Sequence, residues 1–135
     1  MKNILWVDDD VNKFALLSDR VELERSGFNI IAIDNVDDFL KFINNDTRSI
    51  DCVILDMLMA TGKLKLKDTQ NGTRTGIPLY NELLKSKYSG VKVVVYSVFK
   101  KTDLGEFGEY KKIEFISKSI KSSEFADRIT ELVNE

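Results

Sequence analysis

Histidine is absent from this chain of 135 residues, and cysteine and proline each occur once. Without histidine, the chain lacks the usual general base, the commonest zinc ligand and every Ser-His or Cys-His nucleophile pair. The single cysteine, Cys52, cannot form an internal disulfide. Its apolar neighbours predict a buried and inert thiol.

Long apolar runs are also missing. No run approaches the roughly eighteen apolar residues of a membrane-spanning helix, and the N-terminus enters an apolar run without a signal-peptide pattern. We therefore expect a cytoplasmic protein with no membrane partner. The net charge of -2 and the lack of a recognisable DNA-binding motif argue against direct nucleic-acid binding. The length fits one domain with its own core.

Short apolar runs alternate with segments of helical periodicity along the whole chain. The runs predict strands at 2–7, 28–33, 51–56, 91–96 and 113–117. The periodic segments predict helices at 11–26, 36–43, 79–84 and 102–109, and after Ser122 or Ser123. Strands that alternate with helices predict an α/β fold, in which helices cover both faces of a parallel sheet.

Polar side chains follow four of these strands. Asp8 and Asp9 come after the first strand, Asp56 after the third, Ser97 after the fourth and Lys118 after the fifth. Ligands bind at the carboxyl ends of strands in such sheets, so we expect these side chains to meet. Carboxylates suit Mg²⁺, and a hydroxyl and an ammonium can each hold a phosphoryl oxygen. Each residue alone has an ordinary structural role; together they predict phosphoryl transfer to Asp56.

This ordered set resembles the receiver domain of two-component response regulators. The motifs that carry the resemblance are residues 4–10, 53–59, 94–97 and 115–118, which together span essentially the whole chain. The resemblance implies a single receiver domain over 1–135. It also implies a flavodoxin-like fold with a five-stranded parallel sheet in the order 2-1-3-4-5.

The resemblance also implies a magnesium site at Asp56, the phosphoacceptor. Asp9 and Asp56 would bind Mg²⁺ directly, and Asp8 would act largely through water. The backbone carbonyl of Leu58 would complete the protein's share of the metal ligands.

A second group of residues would bind the phosphoryl group and respond to it. Ser97 and Lys118 would hold its oxygens. Phe115 would occupy the aromatic switch position, which swings inward when Ser97 is drawn toward the phosphoryl group. Val98 stands where receivers favour a small residue, and its bulk is expected to narrow access to Asp56 and to hinder Phe115.

Other positions depart from the usual receiver pattern. Ala60 and Ser119 stand where proline is usual, and Leu58 and Phe99 are apolar at positions that flank the phosphoryl group. Because bulky apolar groups exclude an attacking water, we expect slow self-dephosphorylation.

The interval between Asp56 and Ser97 is 41 residues, which is longer than the family normally has. The excess predicts a basic loop insertion at about 61–75, here called the 61–75 segment. Its residues 63–67 alternate like a strand, and Asn71-Gly72 is a turn signal. The segment is either a mobile, solvated insertion or a basic flap beside Asp56 that contacts an acidic partner or the phosphodonor.

The expected function is a phosphorelay receiver. The phosphodonor would be a phosphohistidine on a sensor histidine kinase or a phosphotransfer protein. A downstream protein or an output domain would read a face formed by helix four, strand five and helix five, which is also an expected homodimer surface. This chemistry is self-modification rather than enzymatic turnover.

Two alternatives remain open at this stage. One is a receiver-like binding module that is not phosphorylated. The other is an aspartate-nucleophile phosphatase of the haloacid dehalogenase type. That enzyme needs a second carboxylate two residues after the nucleophile, where this chain has Leu58.

Overall fold

The sheet has the predicted topology. The computed structural model describes residues 1–64 and 66–135, with Leu66 and Lys67 described by their backbone alone. Five parallel strands pair in the order β2-β1-β3-β4-β5. They are β1 Lys2–Val7, β2 Phe28–Ile33, β3 Cys52–Leu55, β4 Lys92–Ser97 and β5 Ile113–Ser117. The predicted order 2-1-3-4-5 and the α/β fold class are confirmed.

Helices follow most of the strands. The α-helices are α1 Leu17–Arg25, α2 Val36–Asn45, α3 Leu66–Thr69, α4 Gly76–Leu84 and α5 Ser122–Asn134, and 3-10 turns cover Phe14–Leu16 and Lys101–Glu109. The side chain of Asn35 accepts a hydrogen bond from the amide of Asp38 at 2.8 Å and so caps α2. Within residues 1–64 and 66–135, every helix is too short or too polar to cross a lipid bilayer.

Two apolar clusters cover the two faces of the sheet. On one face, Val7 and Leu55 pack with residues of α2 and α4. On the other face, Trp6 and Tyr96 pack with residues of α1 and α5. The central strands therefore bury both their faces, which explains their continuous apolar sequences. Cys52 lies inside β3, and burial raises the pKa of its thiol to about 12.

The first helix differs from the prediction. The helix was predicted over 11–26, but a 3-10 turn at Phe14–Leu16 precedes α1, which begins at Leu17. The buried side chains of the turn and of α1 are Leu16, Asp19 and Leu23. Asp19 can be buried because its carboxylate accepts a hydrogen bond from the Tyr96 hydroxyl at 2.8 Å. The apolar spacing in residues 11–26 predicts that Phe14, Leu17 and Val21 help to form the buried face, but all three are exposed.

Two further helix predictions need correction. The 102–109 helix is a 3-10 segment broken at Gly105, whose φ of 58° suits glycine. At α5, Ser122 is the first helical residue rather than the cap, and the N-cap position is held by Lys121.

Candidate functional site

Strand register brings the predicted site residues to one edge of the sheet. Val7 pairs with Leu55, so Asp8 and Asp56 follow at the same level of neighbouring strands. The amide of Asp56 donates to the Val7 carbonyl at 3.0 Å, which extends the strand hydrogen bonding as far as the carboxylates. Asp8 and Asp56 are both buried. Their backbones are therefore fixed by the sheet itself.

Lys118 reaches both carboxylates. Its amide donates to the Ser97 carbonyl at 3.0 Å, which ties the end of β5 to the end of β4. Its Nζ lies 2.8 Å from Asp8 Oδ2 and 3.4 Å from Asp56 Oδ2, with the side chain 16% exposed. Ser119 follows in place of the usual proline, and the described residues hold no cis peptide bond. The ammonium nevertheless reaches the acidic edge.

Burial and charge perturb the ionisation of the site. Burial first, and then the neighbouring charge of Asp8, raise the pKa of Asp56 from 3.8 to about 7. Burial also raises the pKa of Asp9, with further increases from Asp10 and Asp8. For Lys118, burial alone would lower the pKa, but the carboxylates of Asp56 and Asp8 outweigh it and the net pKa is raised. A protonated lysine thus faces a carboxyl group that ionises near neutrality.

The oxygen atoms at this edge fit a divalent cation. Carboxylate oxygens of Asp8, Asp9 and Asp10 lie within 4.8 Å of one another. Asp56 Oδ1 is buried and has no hydrogen-bond partner among the described residues. Asp10 also pairs with Lys13 at 3.2 Å on the exposed side. Hard oxygen ligands with an unsatisfied buried oxygen suit Mg²⁺.

Ser97 is buried at the end of β4. Its Oγ accepts a hydrogen bond from the Phe99 amide at 3.1 Å. The side chain of Val98 is 63% exposed. The ring of Phe99 lies 4.2 Å from the Arg74 guanidinium. That contact joins the loop after β4 to the 61–75 segment.

Phe115 lies beside open space. It is partly buried on β5, and its ring meets the Phe107 ring edge-to-face at 5.9 Å. It borders two cavities of about 570 and 330 Å³, which lie between the 3-10 segment at Lys101–Glu109 and β5. The ring therefore has room on its solvent side; its switch role stays a prediction.

The 61–75 segment forms hydrogen bonds to the rest of the protein near both of its ends. The Lys63 amide donates to Asp37 Oδ1 at 2.9 Å, and the Met59 amide donates to the Gly72 carbonyl at 3.1 Å. The predicted strand over 63–67 is wrong for the described residues, since helix α3 begins at Leu66. Lys65, also part of that prediction, lies outside them.

Sequence reasoning missed the roles of Arg74 and Thr75. Arg74 covers the Phe99 ring, and Thr75 donates its hydroxyl to the Met59 carbonyl at 2.7 Å. Neither residue is part of the periodic spacing of apolar residues that predicts helices and strands, and neither is part of a recognised motif. The one available signal was the position of Thr75 just before Gly76, where α4 begins.

Several apolar side chains in the segments that follow the strands are exposed. Leu58 is 47% exposed and Phe14 is 89% exposed. They belong to a set, here called the apolar rim, that lies in the segments following β1, β3 and β4: Phe14, Leu17, Val21, Leu58 and Val98. Phe14 and Leu58 follow β1 and β3, the two strands whose ends carry Asp8 and Asp56.

Comparisons with known proteins show which solved structures have a similar fold. No protein-family model and no curated protein sequence matches the chain. Solved structures do match, among them a response regulator from Thermotoga maritima with 19% identity and a TM-score of 0.72. That match covers 100% of this chain and 99% of the other. The receiver domain of the Francisella response regulator 1452 has 21% identity and a TM-score of 0.73, with 99% and 98% covered.

A third match is the CheX-CheY-BeF3-Mg complex from Borrelia burgdorferi, with 23% identity and a TM-score of 0.70. It covers 97% of this chain and 88% of the other. All three likenesses extend over nearly the full length of both chains. The chain therefore has the fold of response regulator receiver domains.

Proposed function

We propose that this protein is a phosphorelay receiver in which Asp56 accepts a phosphoryl group from a phosphohistidine. The donor would be a sensor histidine kinase or a phosphotransfer protein. The observation that carries the proposal is the position of the Lys118 ammonium, 2.8 Å from Asp8 and 3.4 Å from Asp56. This contact puts a cation and a buried nucleophile together at the acidic edge of a receiver fold.

The transfer would be a displacement at phosphorus. An Asp56 oxygen forms the new P–O bond while the P–N bond to the donor imidazole breaks, and the imidazole nitrogen keeps the electron pair. Lys118 and Ser97 would donate to oxygens of the transferred group. Asp9, Asp56 and the Leu58 carbonyl would hold Mg²⁺, with Asp8 acting through water. A bound Mg²⁺ would offset the negative charge of the carboxylates and the phosphoryl group.

The response would follow from the position of Ser97. Drawing Ser97 toward the phosphoryl group would let Phe115 swing inward, with Val98 limiting that motion. The face formed by the 3-10 segment, β5 and α5 would then change. A downstream partner or an output domain would read it, and a homodimer through the same face is a second outcome. Each phosphorylation modifies the protein itself, so the protein would not turn over substrate as an enzyme does.

The apolar rim supports a protein as the phosphodonor. A small donor would need only the carboxylates, the hydroxyl and the ammonium. A protein donor would bury the exposed apolar residues on the segments after β1, β3 and β4 when it binds. The donor's phosphohistidine would then be delivered to Asp56, two residues before Leu58 of that rim.

Beryllofluoride, which mimics a phosphoryl group, provides the test. With Mg²⁺ present, its binding should change the fluorescence of Trp6, the only tryptophan, which packs against the Tyr96 ring at 6.1 Å. Asp56→Asn should abolish the response, and Asp127→Asn, which changes an exposed carboxylate on α5, should leave it unchanged.

Absence of any beryllofluoride or Mg²⁺ response in the natural sequence would exclude the phosphoacceptor. The alternative would then hold, namely a receiver-like binding module that is not phosphorylated. The bulky Val98 beside Ser97 is the observation that favours that alternative.

A further inference from the structure

The end of the 61–75 segment is bonded to the loop that follows Asp56. Thr75 is fully buried. Its hydroxyl lies 2.7 Å from the Met59 carbonyl and 3.3 Å from the Gly72 carbonyl. The Met59 amide donates to the same Gly72 carbonyl at 3.1 Å. Both backbone groups of Met59 are thus held by residues 72–75.

This bonding fixes the direction of the Leu58 carbonyl. The Leu58 C=O and the Met59 N–H belong to one planar trans peptide, so they point in opposite directions. Because the Met59 N–H points to the Gly72 carbonyl, the Leu58 C=O points away from it. The Gly76 amide also donates to the Met57 carbonyl at 3.3 Å. The backbone is therefore held on both sides of Leu58.

Residues 56–59 and residues 72–76 approach so closely that their backbones leave no room for side chains at two positions. A Cβ at Gly76 would lie 2.5 Å from the Asp56 carbonyl oxygen and would collide with the Met57 side chain. A Cβ at Gly72, whose φ is +89°, would lie 3.1 Å from the Met59 carbonyl. Glycine at both positions allows the backbones to meet. Within this contact, Thr75 supplies the buried side-chain hydroxyl that bonds to both segments.

We propose that Thr75 is a positioning residue for the divalent cation. By holding Met59 and Gly72 together, its hydroxyl sets the direction of the Leu58 carbonyl and so sets the affinity of the site for Mg²⁺. The proposal rests on the proposed function, because it takes Leu58 to be one of the ligands. Residues that orient metal ligands typically change affinity by about 10- to 100-fold when they are mutated.

Thr75→Val tests the hydroxyl, because it keeps the branched shape and removes the donor. We expect the affinity for Mg²⁺, measured by Trp6 fluorescence without any phosphodonor, to fall about tenfold. Thr75→Ser restores the hydroxyl and should bind Mg²⁺ within about twofold of the natural protein, since a twofold change is only about 0.4 kcal/mol.

Thr73→Val is the matched control. The Thr73 hydroxyl donates to the Gln70 carbonyl at 2.8 Å within the same segment and lies on its exposed side. Its Mg²⁺ affinity should be unchanged. Circular dichroism establishes that each variant is folded, and Thr75→Ala replaces Thr75→Val if the latter does not fold.

The outcomes separate the two proposals. Equal Mg²⁺ affinity in Thr75→Val and the natural protein would overturn the role of Thr75 and leave the phosphoacceptor proposal standing. Equal losses in Thr75→Val and Thr73→Val would also overturn it. If the natural protein binds neither Mg²⁺ nor beryllofluoride, the proposed function itself fails.

Discussion

At the scale of single residues, the burial of the Asp56 carboxyl group has an energetic cost. Its carboxyl group is buried beside Asp8, and its pKa is raised to about 7. Between its ordinary pKa of 3.8 and about 7, the folded protein holds a proton at this group that the unfolded chain has lost. The contribution of Asp56 to stability therefore falls as the pH rises through that window.

Asp56→Asn should remove this pH dependence. We expect the variant to have a higher free energy of unfolding than the natural protein at pH 8, by about 1–3 kcal/mol, and a smaller difference at pH 4. Urea denaturation at both pH values, in a buffer with a metal chelator, measures the effect. An identical pH slope in the two proteins would contradict it, and Asp127→Asn serves as the control.

Leu58 and Phe99 should govern the lifetime of the phosphorylated state. Both are apolar, and polar side chains at these positions would help to place an attacking water. Leu58→Asn and Phe99→Glu should each accelerate loss of the phosphoryl group, followed as the decay of the phosphorylated protein after the donor is removed. Unchanged decay in both variants would count against water exclusion.

At the scale of elements, the exposed side chains of α1 and of the 3-10 turn before it should serve docking rather than stability. Phe14→Ser and Leu17→Ser should change the free energy of unfolding by less than about 0.5 kcal/mol, because both side chains are exposed. The same variants should slow transfer from a protein phosphodonor and leave beryllofluoride binding unchanged.

Leu84 on α4 provides the matched control for the apolar rim. It is 45% exposed and lies at the opposite end of its helix from the residues that follow β3. Leu84→Ser should leave the rate of phosphotransfer unchanged. If Leu84→Ser slows transfer as much as Phe14→Ser does, the rim has no special role in docking.

The strands were more predictable than the helices and loops. Strands β1, β2 and β5 have the predicted bounds because their apolar runs end at charged or polar residues. The buried face of α1 was mispredicted because it carries Asp19, a polar residue that is buried through its hydrogen bond to the Tyr96 hydroxyl. The contacts of Thr75 could not be predicted, because they involve backbone carbonyls that leave no pattern in the side chains.

At the scale of the whole molecule, the site follows from the sheet order. Parallel strands bring their carboxyl ends to one edge, so the position of residues 8, 56, 97 and 118 at that edge could be predicted from the sequence alone. The sequence did not indicate how tightly the 61–75 segment is bonded beside that site. Ligand binding there should stabilise the whole domain against unfolding, because the residues of the acidic edge follow the central strands.

Beryllofluoride with Mg²⁺ should raise the thermal midpoint of unfolding. A ligand at 100 times its dissociation constant stabilises the folded state by about 2.7 kcal/mol, which corresponds to a shift of several degrees for a domain of this size. Calorimetry measures the shift, and removal of Mg²⁺ with a chelator should reverse it. A shift of equal size in Asp56→Asn would show that the ligand binds elsewhere.

The single thiol of Cys52 has a practical consequence for measuring ligand binding at the acidic edge. It is enclosed in the central strand β3, and burial raises its pKa to about 12, so at neutral pH it is neither accessible nor ionised. A cysteine introduced at the exposed position of Asn71 would be the only thiol open to a maleimide reagent. A fluorophore or spin label could therefore be attached beside Asp9, across the cleft that Asn71 shares with it, without replacing any native cysteine.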